Sequence, residues 1–102
     1  SRMIQIDLTA TKQSQLEEFA AQVSRWLDRQ KKSTPDIVKE LQIIGPMAPG
    51  VEKIRNRFRK KIILSSYNIK LLHQWVDHIL LFGQSLNSPV HMSCDIDPQS
   101  LW

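Results

Sequence analysis

The chain is short of the residues that most often announce a function. It has one cysteine, Cys94, among 102 residues. That excludes an internal disulfide and a zinc site built from several thiolates, and it fits a reducing, intracellular setting. Its 3 glycines are scattered. Neither G-x-x-x-x-G-K-[ST] nor G-x-G-x-x-G occurs, so neither of those phosphate-cradling loops is present. No apolar run is long enough to cross a bilayer, and no secretory leader is visible. Nothing in the chain offers a visible means of catalysis.

What is present is enough for one domain and too little for two. The chain is 41% hydrophobic and 24% charged, the composition of a globular protein. It opens SRMIQIDL, without an initiator methionine, and its first apolar run starts at once. We read residues 1–102 as a single accessory domain cut from a larger protein. The net charge of +4 understates a local feature. Lys53, Arg55, Arg57, Arg59, Lys60 and Lys61 supply six of the 14 cations, and the rest of the chain is slightly acidic.

Residues 3–8 alternate Met3, Gln5 and Asp7 against Ile4, Ile6 and Leu8, which predicts a half-buried strand. From residue 13 to 29, Leu16, Phe19, Ala20, Val23 and Leu27 recur at helical spacing with Trp26 beside them. Thr11 or Ser14 is the expected cap, the latter in a Ser14-x-x-Glu17 capping box. Arg25, Arg29, Lys31 and Lys32 gather where cations complement the helix dipole. A second strand is predicted over residues 37–45, ended by Gly45-Pro46, and Pro49-Gly50 is expected to turn the loop that follows. The basic stretch leads into a third strand. Asn68 then caps a second helix with the stripe Leu72, Trp75, Val76, Ile79 and Phe82 and with Gly83 near its end. Residues 90–97 form the last strand, stopped by Pro98. The order β-α-β-β-α-β predicts an α+β, ferredoxin-like sandwich, an antiparallel sheet with both helices on one face. The other face would be free for a partner.

Lys53, Arg55, Arg57, Arg59 and Lys61 occupy every second position, with Ile54, Phe58 and Ile62 between them and Asn56 and Lys60 as polar exceptions. In an extended strand or hairpin arm this places all five cations on one side, about 7 Å apart. That is close to the separation of successive phosphates, and arginine grips each phosphate bidentately. Phe58 either holds the strand to the core or, turned outward, stacks on a base. The ordinary fate of a charge run is a solvated face. Against that, no carboxylate lies within residues 53–61, and like charges placed opposite one another cost stability. The feature points to a nucleic acid or another polyanion without saying which, with Lys53, Arg55, Arg57, Phe58, Arg59, Lys60 and Lys61 as the candidate binding residues.

Other constellations are weaker. Asp95 and Asp97 put two carboxylates on one face of a strand end, but two oxygens alone make a poor magnesium or calcium site, and strand termination by Asp-Pro accounts for them. His73 and Asp77 stand at i and i+4 on the second helix, a spacing that reads as a surface pair. His91 has no evident partner. Cys94 reads as a small core residue and not as a nucleophile, and Trp26 and Trp75 as core or helix-rim aromatics.

Three stretches together resemble one family. SRMIQIDL, IIGPMAPGVEKIRNRFRKKIIL and CDIDPQSL are similar, in order and spacing, to the C-terminal domain family of PriA, the bacterial replication-restart helicase. The resemblance covers nearly the whole chain and rests most on the middle stretch. By position it carries over Gly45 and Pro46 for a turn, Arg55, Arg57, Phe58 and Arg59 for the basic core, and Asp95, Asp97 and Pro98 for the closing motif. Asn56 stands where the family usually has glycine, and asparagine tolerates the left-handed backbone of a turn. Lys60 stands where an aromatic is frequent. The resemblance implies a fold like ribosomal protein S10 and a parent that is an ATP-dependent 3′-to-5′ helicase, with ATP, magnesium and zinc in the parent and no cofactor here. It also implies a bacterial cytoplasmic setting without membrane attachment. The implied partners are single-stranded or forked DNA, the single-strand DNA-binding protein and other primosome proteins, and the helicase lobes of the same chain. A second class of function is a protein-interaction module, in which the same cations receive the acidic tail of the single-strand binding protein or dock on those lobes. An enzyme built on His73/Asp77 or Asp95/Asp97 is a third.

Overall fold

A computed structural model of the chain describes residues 2–48 and 53–96. The first strand, β1, runs Arg2–Ala10. Its alternation sends Ile4, Ile6, Leu8 and Ala10 into the core, each 1% exposed or less. Helix α1 spans Gln13–Ser33 and buries the expected stripe of Leu16, Phe19, Ala20, Val23 and Leu27. It runs on through Lys31 and Lys32 until Thr34 closes it by bonding back to the Gln30 carbonyl through both its backbone N–H and its hydroxyl. Pro35 follows, as helix stops often require. The predicted caps are corrected: the N-cap is Lys12, and no side chain bonds the first turn.

The predicted strand over residues 37–45 is also corrected. Ile37–Glu40 form a single helical turn, α2, and the strand β2 starts only at Leu41 and runs to Met47. The turn begins in hydrogen bonds from Ile37 N–H to the Thr34 carbonyl and from Lys39 N–H to the Asp36 carbonyl. β2 passes through Gly45 and Pro46, whose peptide bond is cis, and its register shifts between Ile44 and Met47. An edge position accommodates a proline that has no N–H to give. Gly45 has φ +107°, and a Cβ there would lie 2.5 Å from the Lys61 carbonyl oxygen, so the site admits glycine alone. The predicted Pro49-Gly50 turn, Asp97 and Pro98 lie outside the described residues.

The basic stretch is a hairpin. β3 (Lys53–Ile54) pairs antiparallel with the start of β4 (Arg57–Ser66) across the two residues Arg55 and Asn56. Both have positive φ, +53° and +63°, as a two-residue loop of the type I′ sense requires. Helix α3, Ile69–Ser85, starts as predicted: the Asn68 side chain accepts from the Leu71 N–H at 3.1 Å. Its buried stripe is Leu72, Trp75, Val76 and Ile79, with Phe82 half-buried. The last strand, β5, is His91–Ile96.

The sheet has the order β2-β4-β1-β5, antiparallel throughout, with β3 beside the hairpin end of β4. Counting the β3–β4 hairpin with its long arm, this is the ferredoxin-like β-α-β-β-α-β arrangement. α1 and α3 pack on one face, over Ile4, Ile6, Leu8, Ile62 and Leu64. Each such side chain contributes about 1.5–3 kcal/mol by leaving water. Trp26 of α1 stacks on Phe82 of α3 with ring centroids 4.7 Å apart, joining the two helices at their outer rim.

Candidate nucleic-acid interface

The candidate site follows from the period-two geometry of β4 and its neighbours. Residues directly opposite in an antiparallel pair share a face. Arg57, Arg59, Lys61, Ile63 and Ser65 therefore point away from the helices, together with Met3, Gln5, Asp7 and Thr9 of β1 and His91, Ser93 and Asp95 of β5. No described helix lies over this face.

The expected ribbon of five cations is only partly formed. The turn at Arg55-Asn56 reverses the chain, so Lys53 is on the partner arm, opposite Phe58, and Arg55 is at the tip. A period-two rule holds only while the strand continues, and here it continues from residue 57 onward. Arg55, Asn56 and Arg57 are exposed, and Arg59 is half-buried. None of the three arginines is buried, so they are not structural members of the core. Lys61 is different. It is 5% exposed, flanked in the register by Met47 on β2 and Asp7 on β1. Asp7 also accepts a hydrogen bond from Gln5 Nε2 of the same strand at 2.9 Å, so Gln5, Asp7 and the opposed Lys61 make this part of the face polar.

Phe58 and Lys60 take the opposite face from the arginines. Phe58 is half-buried against the core, the first of its two anticipated roles. Lys60 Nζ lies 3.4 Å from Glu17 Oε1 of α1. Leu16, Phe58 and Lys60 line a cleft of about 30 Å³ between hairpin and helix, with Glu17 on its wall. The sequence pattern marks the cations. It does not show which of them Asp7 and Glu17 meet, because those meetings depend on pairing across the whole chain.

The weaker candidates disperse. His73 and Asp77 are exposed on α3, and His78 sits edge-on to Trp75 at 5.2 Å. Asp95 lies across from Gln5. Among the described residues no three His, Cys, Asp or Glu side chains converge as metal ligands would. Cys94 is not a core residue: it is exposed on β5. Partial burial raises its thiol pKa, and the carboxylates of Asp95, Asp77 and Asp7 raise it further. Such a thiol is a poor nucleophile at neutral pH. No described helix is long and apolar enough to cross a membrane.

Among curated proteins, none matches the chain. Among protein families, residues 1–99 match the one described as the primosomal protein N C-terminal domain. That match, over a ferredoxin-like sheet bearing the Arg-Asn-Arg hairpin, places the chain in the family of C-terminal domains of PriA, the replication-restart helicase.

Proposed function

We propose that this domain binds DNA for its parent helicase, contacting phosphates through the β3–β4 hairpin. The observation that carries the reading is the tip. Arg55 is a long cationic residue held at φ +53° and exposed, and Arg57 is exposed beside it. A left-handed conformation costs a residue other than glycine, asparagine or aspartate about 1–2 kcal/mol. Strain of that kind clusters at functional positions. Arg59 extends the grip along the strand, and Phe58 anchors the arm from below. Lys61 is too buried to meet a phosphate, and Lys60 is engaged with Glu17. In the parent the domain would act at stalled or repaired forks, in the bacterial cytoplasm, beside helicase lobes that supply ATP hydrolysis.

Fluorescence anisotropy of the 102-residue chain with labelled forked DNA across a salt series tests this. Two or three phosphate contacts give a log–log slope of about −2 to −3. Replacing Arg55, Arg57 and Arg59 by alanine should flatten that slope with the fold intact by circular dichroism. Salt-independent binding, or binding untouched by the triple variant, sinks the reading. Capture of a short acidic peptide, such as the tail of a single-strand binding protein, would move the hairpin to the protein-interaction class. The cleft beside Phe58 argues against that outcome, because it is too small for an apolar anchor and carries Glu17.

A further inference from the structure

The two edges of the sheet are unlike. β2 is blunted as edges usually are, by Pro46 and by the register shift between Ile44 and Met47. β5 carries no such device. Its residues hold an unbroken register with β1, from Ile4 opposite Ile96 to Thr9 opposite His91, and include neither proline nor lysine. Among the described residues β1 is its only strand neighbour. Every second residue of such a strand turns its N–H and C=O outward, a template for one more strand.

The side chains are unfinished in the same place. Ile4, Ile6 and Leu8 are buried on the helix face. Their neighbours across the register are Ile96, which is 57% exposed, Cys94, which is exposed, and Met92, which is half-buried. The helix layer stops short of the edge. Between α3 and β5 it leaves an open groove of about 570 Å³, lined by Leu80, Gly83, Gln84, Met92 and Cys94.

Charge names the occupant. All 14 lysines and arginines fall within residues 1–70, and residues 71–102 contain none. The β5 side has exposed carboxylates instead, Asp95 on the open face of the strand and Asp77 on α3, one turn before Leu80 and on the same side of the helix. Asp95, Asp77 and Asp7 all act on the Cys94 thiol, so three carboxylates surround one point of the strand. A second copy would bring its own aspartates against these, and like charges on paired strands cost stability.

We propose that β5 receives an extended basic segment of a partner protein as an additional strand. The main chain of the segment pairs with the β5 edge, and its alternate apolar side chains enter the groove over Cys94 and Ile96. Lysine or arginine at the positions between faces Asp95. NMR titration of the isotope-labelled chain with a short capped peptide of alternating lysine and valine tests this. The amide signals of residues 91–96 and of Leu80, Gly83 and Gln84 should shift. An Asp77→Lys/Asp95→Lys variant should raise the Kd about tenfold, and both side chains are exposed, so the fold does not depend on them. The same peptide N-methylated throughout keeps its charge but has no main-chain donor, and should not bind. Equal binding of the methylated peptide, shifts confined to other residues, or no binding at all would overturn the proposal. So would β5 signals that move with protein concentration in the absence of peptide, which would assign the edge to a second copy.

Discussion

At the scale of single residues, burial decides which cations act. Lys61 and Arg57 look alike in the sequence, four positions apart on the same face, yet one is 5% exposed and the other is open to solvent. Lys61→Met should leave DNA affinity within about twofold, because this side chain lies out of a phosphate's reach, while lowering stability, because Asp7 opposite it on β1 loses a cationic neighbour. Arg57→Ala should weaken DNA binding and leave stability within about 0.5 kcal/mol, as surface changes usually do. Gly45→Ala should be severe. A methyl 2.5 Å from the Lys61 carbonyl, on backbone at φ +107°, is expected to cost about 2 kcal/mol or more in urea denaturation. Cys94 offers a check by pH. Its acid form is favoured by burial and by Asp95, Asp77 and Asp7, so less thiolate is present at any given pH than in an unperturbed thiol. Iodoacetamide labelling should therefore rise at higher pH than for glutathione, and Asp95→Asn should move the profile back toward ordinary values. That Cys94 is exposed was not legible in the sequence, because a small apolar-like residue in a strand reads as core until the strand is known to be an edge.

At the scale of elements, what was legible is what periodicity and local chemistry control. The stripes of α1 and α3 and the Asn68 cap follow from spacing alone, and Asn68→Ala should cost about 1 kcal/mol. The helical turn at Ile37–Glu40 was hidden because adjacent Ile37 and Val38 continue the apolar run of β2, so no change of period marks the boundary. The hairpin tip was half-visible. Asn56 was recognisable as a residue that accepts left-handed backbone, but Arg-Asn is not one of the usual turn dipeptides, and the regular spacing of cations ran straight across it. Arg55→Gly separates the two demands on that turn. Thermal denaturation should show a gain of up to about 1 kcal/mol as the strain at φ +53° is relieved. DNA affinity should fall in the same variant.

At the scale of the whole molecule, the domain is a thin slab, 38 × 29 × 17 Å, with helices on one side and its strongest positive charge at one corner of the sheet. The β-α-β-β-α-β order was legible because each element announces itself locally. The pairing of Asp7 with Lys61, which divides the open face into a polar centre and a cationic corner, was not, since it needs the register of strands more than fifty residues apart. The same register sets how the slab responds to load. Ile4 near the start of β1 lies directly opposite Ile96 at the end of β5, so the two ends of the described fold sit side by side on adjacent antiparallel strands. The hydrogen bonds between such strands run perpendicular to them. A pull on this domain between those ends would load the bonds one pair at a time, as a zipper is opened. Optical-tweezer traces should show β5 peeling from β1 at a lower force than a pull between β2 and β5, which loads the sheet across all its strands.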